Sequence, residues 1–383
     1  MWPGWASDQT HQGGTMRRTR IVAAASSLAL AASAAAIMPA GQAAAPEPKT
    51  LAKGLTSPLT AAIDDDGTAY VTQNFTGKLT RIRKGKKPKV VYATKGGNEV
   101  GGVSVFHGKL VFTETASDAE GNPSKSWVKW IAPSGKVKTL ANIRAFENKK
   151  NPDKKVTYGV RGISDACAAQ WPTADLGPAS YQGIPDSHPY ATLQVDEGTV
   201  FVADAGMNAV LAISPKGKIR TVAVLPPAAV PIPPNATEMG VPQCAVGLTY
   251  YSESVPTDLA LGSDKRLYVT TEGGGLGEQF PLGAIHKVNI KTGKTKQVVG
   301  GLFGPVGIAI AGNDDMYVSQ LFGGKISRIK HGTTKVKTYA KANLPAAVEW
   351  TADGLYATVD VLVGPSPDTP TAKPGGKLIR FGS

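Results

Sequence analysis

Six polar residues stand at matching places along the chain: Gln73, Glu114, Asp204, Glu272, Gln320 and Asp360. Each follows, by three or four positions, an aromatic or β-branched residue in a short apolar run: Tyr70, Val111, Phe201, Tyr268, Tyr317 and Tyr356. Four carboxylates and two amides repeated in this way supply oxygen donors that suit a hard cation or a small polar molecule. Glu114, Asp204 and Glu272 are the candidate metal ligands, and calcium or another divalent cation is the candidate cofactor. His188, close to Asp186, adds a group able to move a proton near neutral pH. The plainer reading is that the six residues begin solvated turns or cap strand ends, and that His188 is a hydrogen-bonded structural residue.

Other chemistry is absent from the sequence. There is no phosphate loop, GxSxG elbow, HExxH pair or Cys/His metal cluster. GGGLG at 273–277 leads from one apolar run to the next rather than into a helix, which argues against phosphate cradling. NFT at 74–76 and NAT at 235–237 match glycan acceptors.

Charge narrows the partners. Lys and Arg number 42 against 29 Asp and Glu, a net +13. The cations gather in turns: KGKKPK at 84–89, SGKVK at 134–138, PKGKIR at 215–220, KTGKTK at 291–296 and HGTTKVK at 331–337. Such turns either form a surface for an anionic cell-envelope polymer or serve solubility. No aromatic residues are interleaved with them for stacking, so nucleic acid is not an expected partner.

The elements that position these residues recur. Each apolar run around an anchor follows a polar turn, and each turn follows an alternating run: PLTAAID, VGGVSVF, PYATLQV, PTDLALG, PVGIAIA and PAAVEW. Five of these start at a proline, Pro58, Pro189, Pro256, Pro305 and Pro345, as suits a first strand residue that owes no ladder N–H. Third strands (KLTRIRK, SWVKWIA, AVLAISP, AIHKVNI, KISRIKH, KLIRFG) occur six times, but fourth strands only five. PKTLAKGLTSP at 48–58 has the pattern of the missing one and precedes the first copy. The expected fold is therefore all-β: a six-bladed β-propeller closed by an N-terminal strand that completes the last blade. Closure of this kind removes open sheet edges.

Anchor spacings are 41, 49 and 39 residues where blades follow directly, but 90 and 67 around the third copy. The excess falls in Arg144–Ser187 and Pro226–Ser254, which emerge on one face of the disc and hold one cysteine each, Cys167 and Cys244. A disulfide between them is expected, worth roughly 4 kcal/mol in the chain-entropy model. Without that bridge both insertions would be long loops with little core of their own.

Residues 1–15 carry no targeting logic and read as an overrun ahead of a true start at Met16. Arg17, Arg18 and Arg20, then an Ala-rich apolar run from Ile21 to Ile37, then Ala43-Ala44-Ala45, have the order of a signal peptide over 16–45. The expected mature protein, 46–383, is secreted or cell-envelope associated, has no transmembrane segment and is monomeric.

SHPYATLQVDEGTVFVADAGMNAVLAI at 187–213 and VPTDLALGSDKRLYVTTEGGG at 255–275 resemble the ScyD/ScyE family of exported bacterial propeller proteins, related in architecture to NHL-type propellers. His188 stands where that family's pattern has Asn, and Met207 where it has a second Gly. The resemblance implies fold and export, and no particular reaction. The leading expectation is a non-catalytic exported scaffold binding a small polar ligand, a cation or a cell-envelope component at the carboxylate-bearing face. The alternative is a metal-assisted hydrolase, lactonase or lyase in the same funnel. Protein recognition through the insertions is a third reading.

Overall fold

The computed structural model describes residues 45–382 apart from 133, 197, 366–368 and 370. The expected overrun at 1–15 and nearly all of the signal segment lie outside the described residues. Among the described residues the strands form seven four-stranded antiparallel sheets. Six of them follow the repeat. The fourth is the simplest to describe: Pro256–Leu261, Leu267–Thr271, Gly283–Val288 and Thr295–Leu302 pair in chain order. The innermost strands of the six sheets, which begin at Ala61, Glu99, Pro189, Pro256, Pro305 and Val348, pack against one another in that order and back to the first. The protein is a β-propeller.

The ring closes as the repeat count requires. Lys49–Leu55 pairs antiparallel with Gly376–Phe381, with Lys49 opposite Arg380 and Leu55 opposite Gly376. The last sheet thus takes its outer strand from the other end of the described chain.

Neighbouring sheets are latched by hydroxyls. Thr60 Oγ1 donates to Gly101 O at 2.9 Å, Thr113 Oγ1 to Pro189 O at 2.8 Å and Thr257 Oγ1 to Pro305 O at 2.7 Å. Ser319 Oγ makes the equivalent bond to Ala346 O. Four of the inner strands, those starting at Glu99, Pro189, Pro256 and Pro305, have a register shift within their first residues. A bulge leaves a carbonyl outside the ladder, and at Gly101, Pro189 and Pro305 the hydroxyl of the preceding sheet satisfies it. Sheets approach closely here: a Cβ on Gly102 would lie 2.5 Å from Ala191 Cα.

The core gathers around the axis. Leu59, Tyr190, Val255, Val306 and Ala346, drawn from five sheets, belong to one buried cluster at the end where the inner strands begin. That end is called the top below.

The insertions are not loops. Thr157–Val160 and Ser180–Gln182 from the first pair with Ala228–Pro231 and Thr249–Ser252 from the second, forming the seventh sheet. The expected disulfide, Cys167–Cys244, joins them, inside a small core with Val160, Trp171, Ile232 and Val241. The apolar residues of the insertions supply this core, in runs too short to show a strand period. The Gly-rich run also differs from expectation, since Gly274–Gly277 forms one helical turn.

Candidate functional site

The structure separates the six repeated residues. Gln73, Asp204 and Gln320 end second strands, whereas Glu272 and Asp360 lie one residue beyond theirs, Leu267–Thr271 and Gly354–Val359. Because side chains alternate along a strand, one residue changes the face addressed. Glu272 and Asp360 are thus offset by one residue from Gln73, Asp204 and Gln320.

Most of them hold the chain in place. Gln73 Oε1 accepts from Thr56 N at 2.9 Å and Gln320 Oε1 from Phe303 N at 2.8 Å, each two residues before a predicted strand-initial proline. Their amide groups donate to Thr80 Oγ1 and Ser327 Oγ on the adjacent third strand. Asp204 is fully buried and accepts from His188 N at 2.9 Å, Met207 N at 3.1 Å and Ser187 Oγ at 3.2 Å. Burial lifts its pKa to about 6, against the pull of those two amides. Glu114 is enclosed by Lys129 Nζ at 2.6 Å, Asn98 Nδ2 at 2.8 Å and the Tyr92 hydroxyl. Asp360 is bound by Lys377 at 2.7 Å and Asn343 at 2.8 Å.

Glu272 is different. It is 8 % exposed and has no hydrogen-bond or ion-pair partner among the described residues. Burial, with the charge of Glu278, pushes its pKa up to about 8. Glu114, Asp204 and Glu272 are not brought together as metal ligands: among the described residues no three Asp, Glu, His or Cys side chains converge on one ion position. Of the glycan matches, Asn74 is fully buried with its amide on Glu99 Oε1, which leaves only Asn235 exposed.

His188 is half of a pair. Its Nε2 lies 2.7 Å from Glu99 Oε2. Sequence reading missed Glu99, which begins the second inner strand and lies outside the repeated positions.

The axis holds the cavity. A space of about 300 Å³ runs between the six inner strands, below the Leu59–Tyr190–Val306 cluster. Asp258, Glu349, Gln194 and Thr192 line it. Asp258 accepts from Leu259 N and Ile308 N, each at 2.8 Å. Burial nevertheless carries its pKa to about 7. Glu349 has no partner among the described residues; burial, then the charge of Asp258, raises it well above the carboxylate range. Gln194 is 6 % exposed and leaves Oε1 without a donor. Above the cavity, the Tyr190 phenol is pushed up by burial and then by the charges of Glu272, Glu99 and Asp258. Acidic groups therefore run along the axis of a protein whose rim is basic. Sequence reading missed Asp258 and Glu349 because inner strands were read only for their apolar alternation.

A larger groove, about 440 Å³, lies on the flank between the fourth and fifth sheets. Its acids are already engaged, Asp264 with Lys287 and Asp314 with Ser263. The axial cavity is the one with unmet acceptors.

Fold and site together define a β-propeller with an acidic axial cavity. No family model matches the chain, and no curated protein matches it in sequence. Among solved structures it is similar to a putative oxidoreductase (glucose dehydrogenase) of Thermus thermophilus, at 16% identity over 88% of this chain and 99% of that one, TM-score 0.53. The soluble aldose sugar dehydrogenase of Escherichia coli in its apo form matches at 12% identity over 87% and 98%, TM-score 0.51. Virginiamycin B lyase of Staphylococcus aureus aligns at 18% identity over 81% and 80%, TM-score 0.47. At such identities the first two likenesses show the fold alone.

Proposed function

We propose that the protein is an exported binding propeller that holds a small, donor-rich ligand, a polyol or an amine, in its axial cavity. One observation carries this reading: the cavity presents Gln194 Oε1, a buried acceptor without a donor among the described residues, beside the half-buried Glu349 carboxyl. Buried acceptors are ordinarily satisfied, and a ligand with several N–H or O–H groups would satisfy these. Asp258 and Glu349, both lifted toward the protonated form, can accept and donate, which suits hydroxyls as well as ammonium groups. Export is supported by the signal-like order over 16–45 and by the disulfide, which persists in oxidising compartments. No helix among the described residues is long and apolar enough to cross a membrane. The ScyD/ScyE resemblance agrees with this reading, as does a monomeric scaffold whose basic rim meets an anionic envelope polymer.

The test is isothermal titration of the mature chain with a panel of polyols and amines, repeated on Asp258→Asn/Glu349→Gln. Binding by the wild type that the double variant loses is expected. Equal binding by both would place the ligand elsewhere. The hydrolase reading needs three or more ligands around one metal, and among the described residues no such group favours it.

A further inference from the structure

Half of the buried side-chain polar atoms that lack a partner among the described residues lie between positions 147 and 153. They are Glu147 Oε1 and Oε2, Asn151 Oδ1 and Asp153 Oδ1. All four are acceptors. Glu147 is wholly buried and Asp153 is 1 % exposed.

Local structure sets them together. The helix Ile143–Lys150 carries Glu147, and Asn151 caps it, its N–H donating to Glu147 O at 2.8 Å. Residues four apart share a helical face. Asn151 Nδ2 donates to Gly183 O at 2.9 Å, which leaves its Oδ1 free. Asp153 spends only Oδ2, on the Tyr158 hydroxyl at 2.9 Å and Asn208 Nδ2 at 3.2 Å. Its Oδ1 rests against Gly183, where a Cβ would approach to 2.3 Å. Of the nearby cations, His188 pairs with Glu99, while Arg144 stands 3.5 Å from Asp186 and its Nη1 makes no hydrogen bond among the described residues. Buried oxygens without a donor are costly for a fold to hold.

We infer that Glu147, Asn151 and Asp153 form an oxygen-lined site for one hard divalent cation of the calcium class, at the joint between the insertions and the propeller. Calcium takes six to eight oxygens and accepts amide, main-chain and water oxygens beside carboxylates, so two carboxylates and one amide are a sufficient protein contribution. The cation would tie the helix to the seventh sheet through Asp153 and, through Asn208, to the third sheet of the ring. This inference does not rest on the axial reading.

The test follows the thermal midpoint of the full mature chain in 1 mM CaCl2 and in EDTA, with calorimetric titration of CaCl2. Calcium should raise the wild-type midpoint by roughly 3–6 °C and bind once per chain. Glu147→Gln should lose that shift, whereas Asp258→Asn/Glu349→Gln should keep it. An unchanged wild-type midpoint without binding heat would mean that water or a proton satisfies these oxygens, and the inference would be overturned. It would equally be overturned if Glu147→Gln kept the shift or if the axial variant lost it. Should Glu147→Gln fail to fold, hydrogen exchange on the wild type decides: calcium should slow the amides of 143–160, and no slowing there refutes the site.

Discussion

Glu99 Oε2 and His188 Nε2 stand 2.7 Å apart although 89 residues separate them in the chain. The pair fastens the second inner strand to the start of the third. Burial alone would push the imidazole down, but the Glu99 carboxylate, with Asp186 and Asp204 beyond it, carries it up to about 9. Glu99 is held low, since its burial is outweighed by His188 and Asn74.

The pair should therefore make stability depend on pH. The folded state keeps a proton on His188 that the unfolded chain releases near 6.5. That contribution is fully present below about 6.5 and is lost as pH rises through 9. The Glu99 contribution is present above 4.5 and is lost as pH falls through its lowered folded value. Urea midpoints should fall between pH 6 and 10 in the wild type and fall less in His188→Gln. The variant should cost about 3 kcal/mol at pH 6. Parallel slopes for the two proteins would remove His188 as their origin.

Gln73 and Gln320 test the difference between holding a loop and holding a ligand. Each accepts a backbone N–H and donates to a hydroxyl. Gln320→Ala strands Phe303 N and should cost about 1–3 kcal/mol in urea denaturation. Ligand titration should be unchanged. Weakened binding without lost stability would return Gln320 to the site.

Asp258 should show the opposite pH behaviour to an ion-paired carboxylate. Its folded pKa, about 7, lies above the unfolded 3.8. The folded state then holds the extra proton, so stability declines as pH rises from about 4 to 7. Asp258→Asn should be the more stable protein at pH 8, by on the order of 1 kcal/mol, with the difference vanishing near pH 4. A variant less stable than the wild type at pH 8 would show that the two backbone donors outweigh burial.

These contrasts mark what could be read from the chain. Alternation and turn residues located the strands of the ring. The PKTLAKGLTSP pattern located the closing strand, because a missing copy and a spare copy can be matched by inspection. Side-chain direction was not legible: Glu272 and Asp360 seemed equivalent to Gln73 until the strand ends placed them one residue further on. The seventh sheet was hidden because its strands are three or four residues long and pair across two insertions. Asp258 sits at the third position of an otherwise apolar inner strand, where only the closed ring turns it toward a cavity. Glu147 lay in an insertion to which the sequence assigned no element, and it is buried where the helix Ile143–Lys150 packs against Pro123–Ile131.

The disulfide should protect the insertions rather than the ring. Cys167 and Cys244 join the two halves of the seventh sheet's small core, apart from the axial cluster. Reduction, or Cys167→Ser/Cys244→Ser, should admit protease within 144–187 and 226–254 first, leaving the ring sheets resistant. The loss should be about 2–4 kcal/mol for the insertion unit. Mass spectrometry of early fragments checks the order. First cuts in the ring sheets would mean that the two regions unfold together.

The closing strand can be tested by removing it. Lys49–Leu55 covers the edge of Gly376–Phe381, and Ala52 and Leu55 enter the same core cluster as Leu378. A chain beginning at residue 57 would lose both the pairing and those contacts. Its exposed edge is a template for another chain, so size-exclusion chromatography should show larger species than the full mature chain gives. A synthetic peptide of residues 46–56 added during refolding should restore the elution volume of the full mature chain, since a strand supplied in trans can make the same main-chain bonds. The same peptide with Ala52→Asp should not, because it brings a charge into the core cluster. A truncated chain that kept the full mature chain's elution volume and midpoint would show that the ring holds without its borrowed strand, and that the hydroxyl latches between sheets are sufficient by themselves.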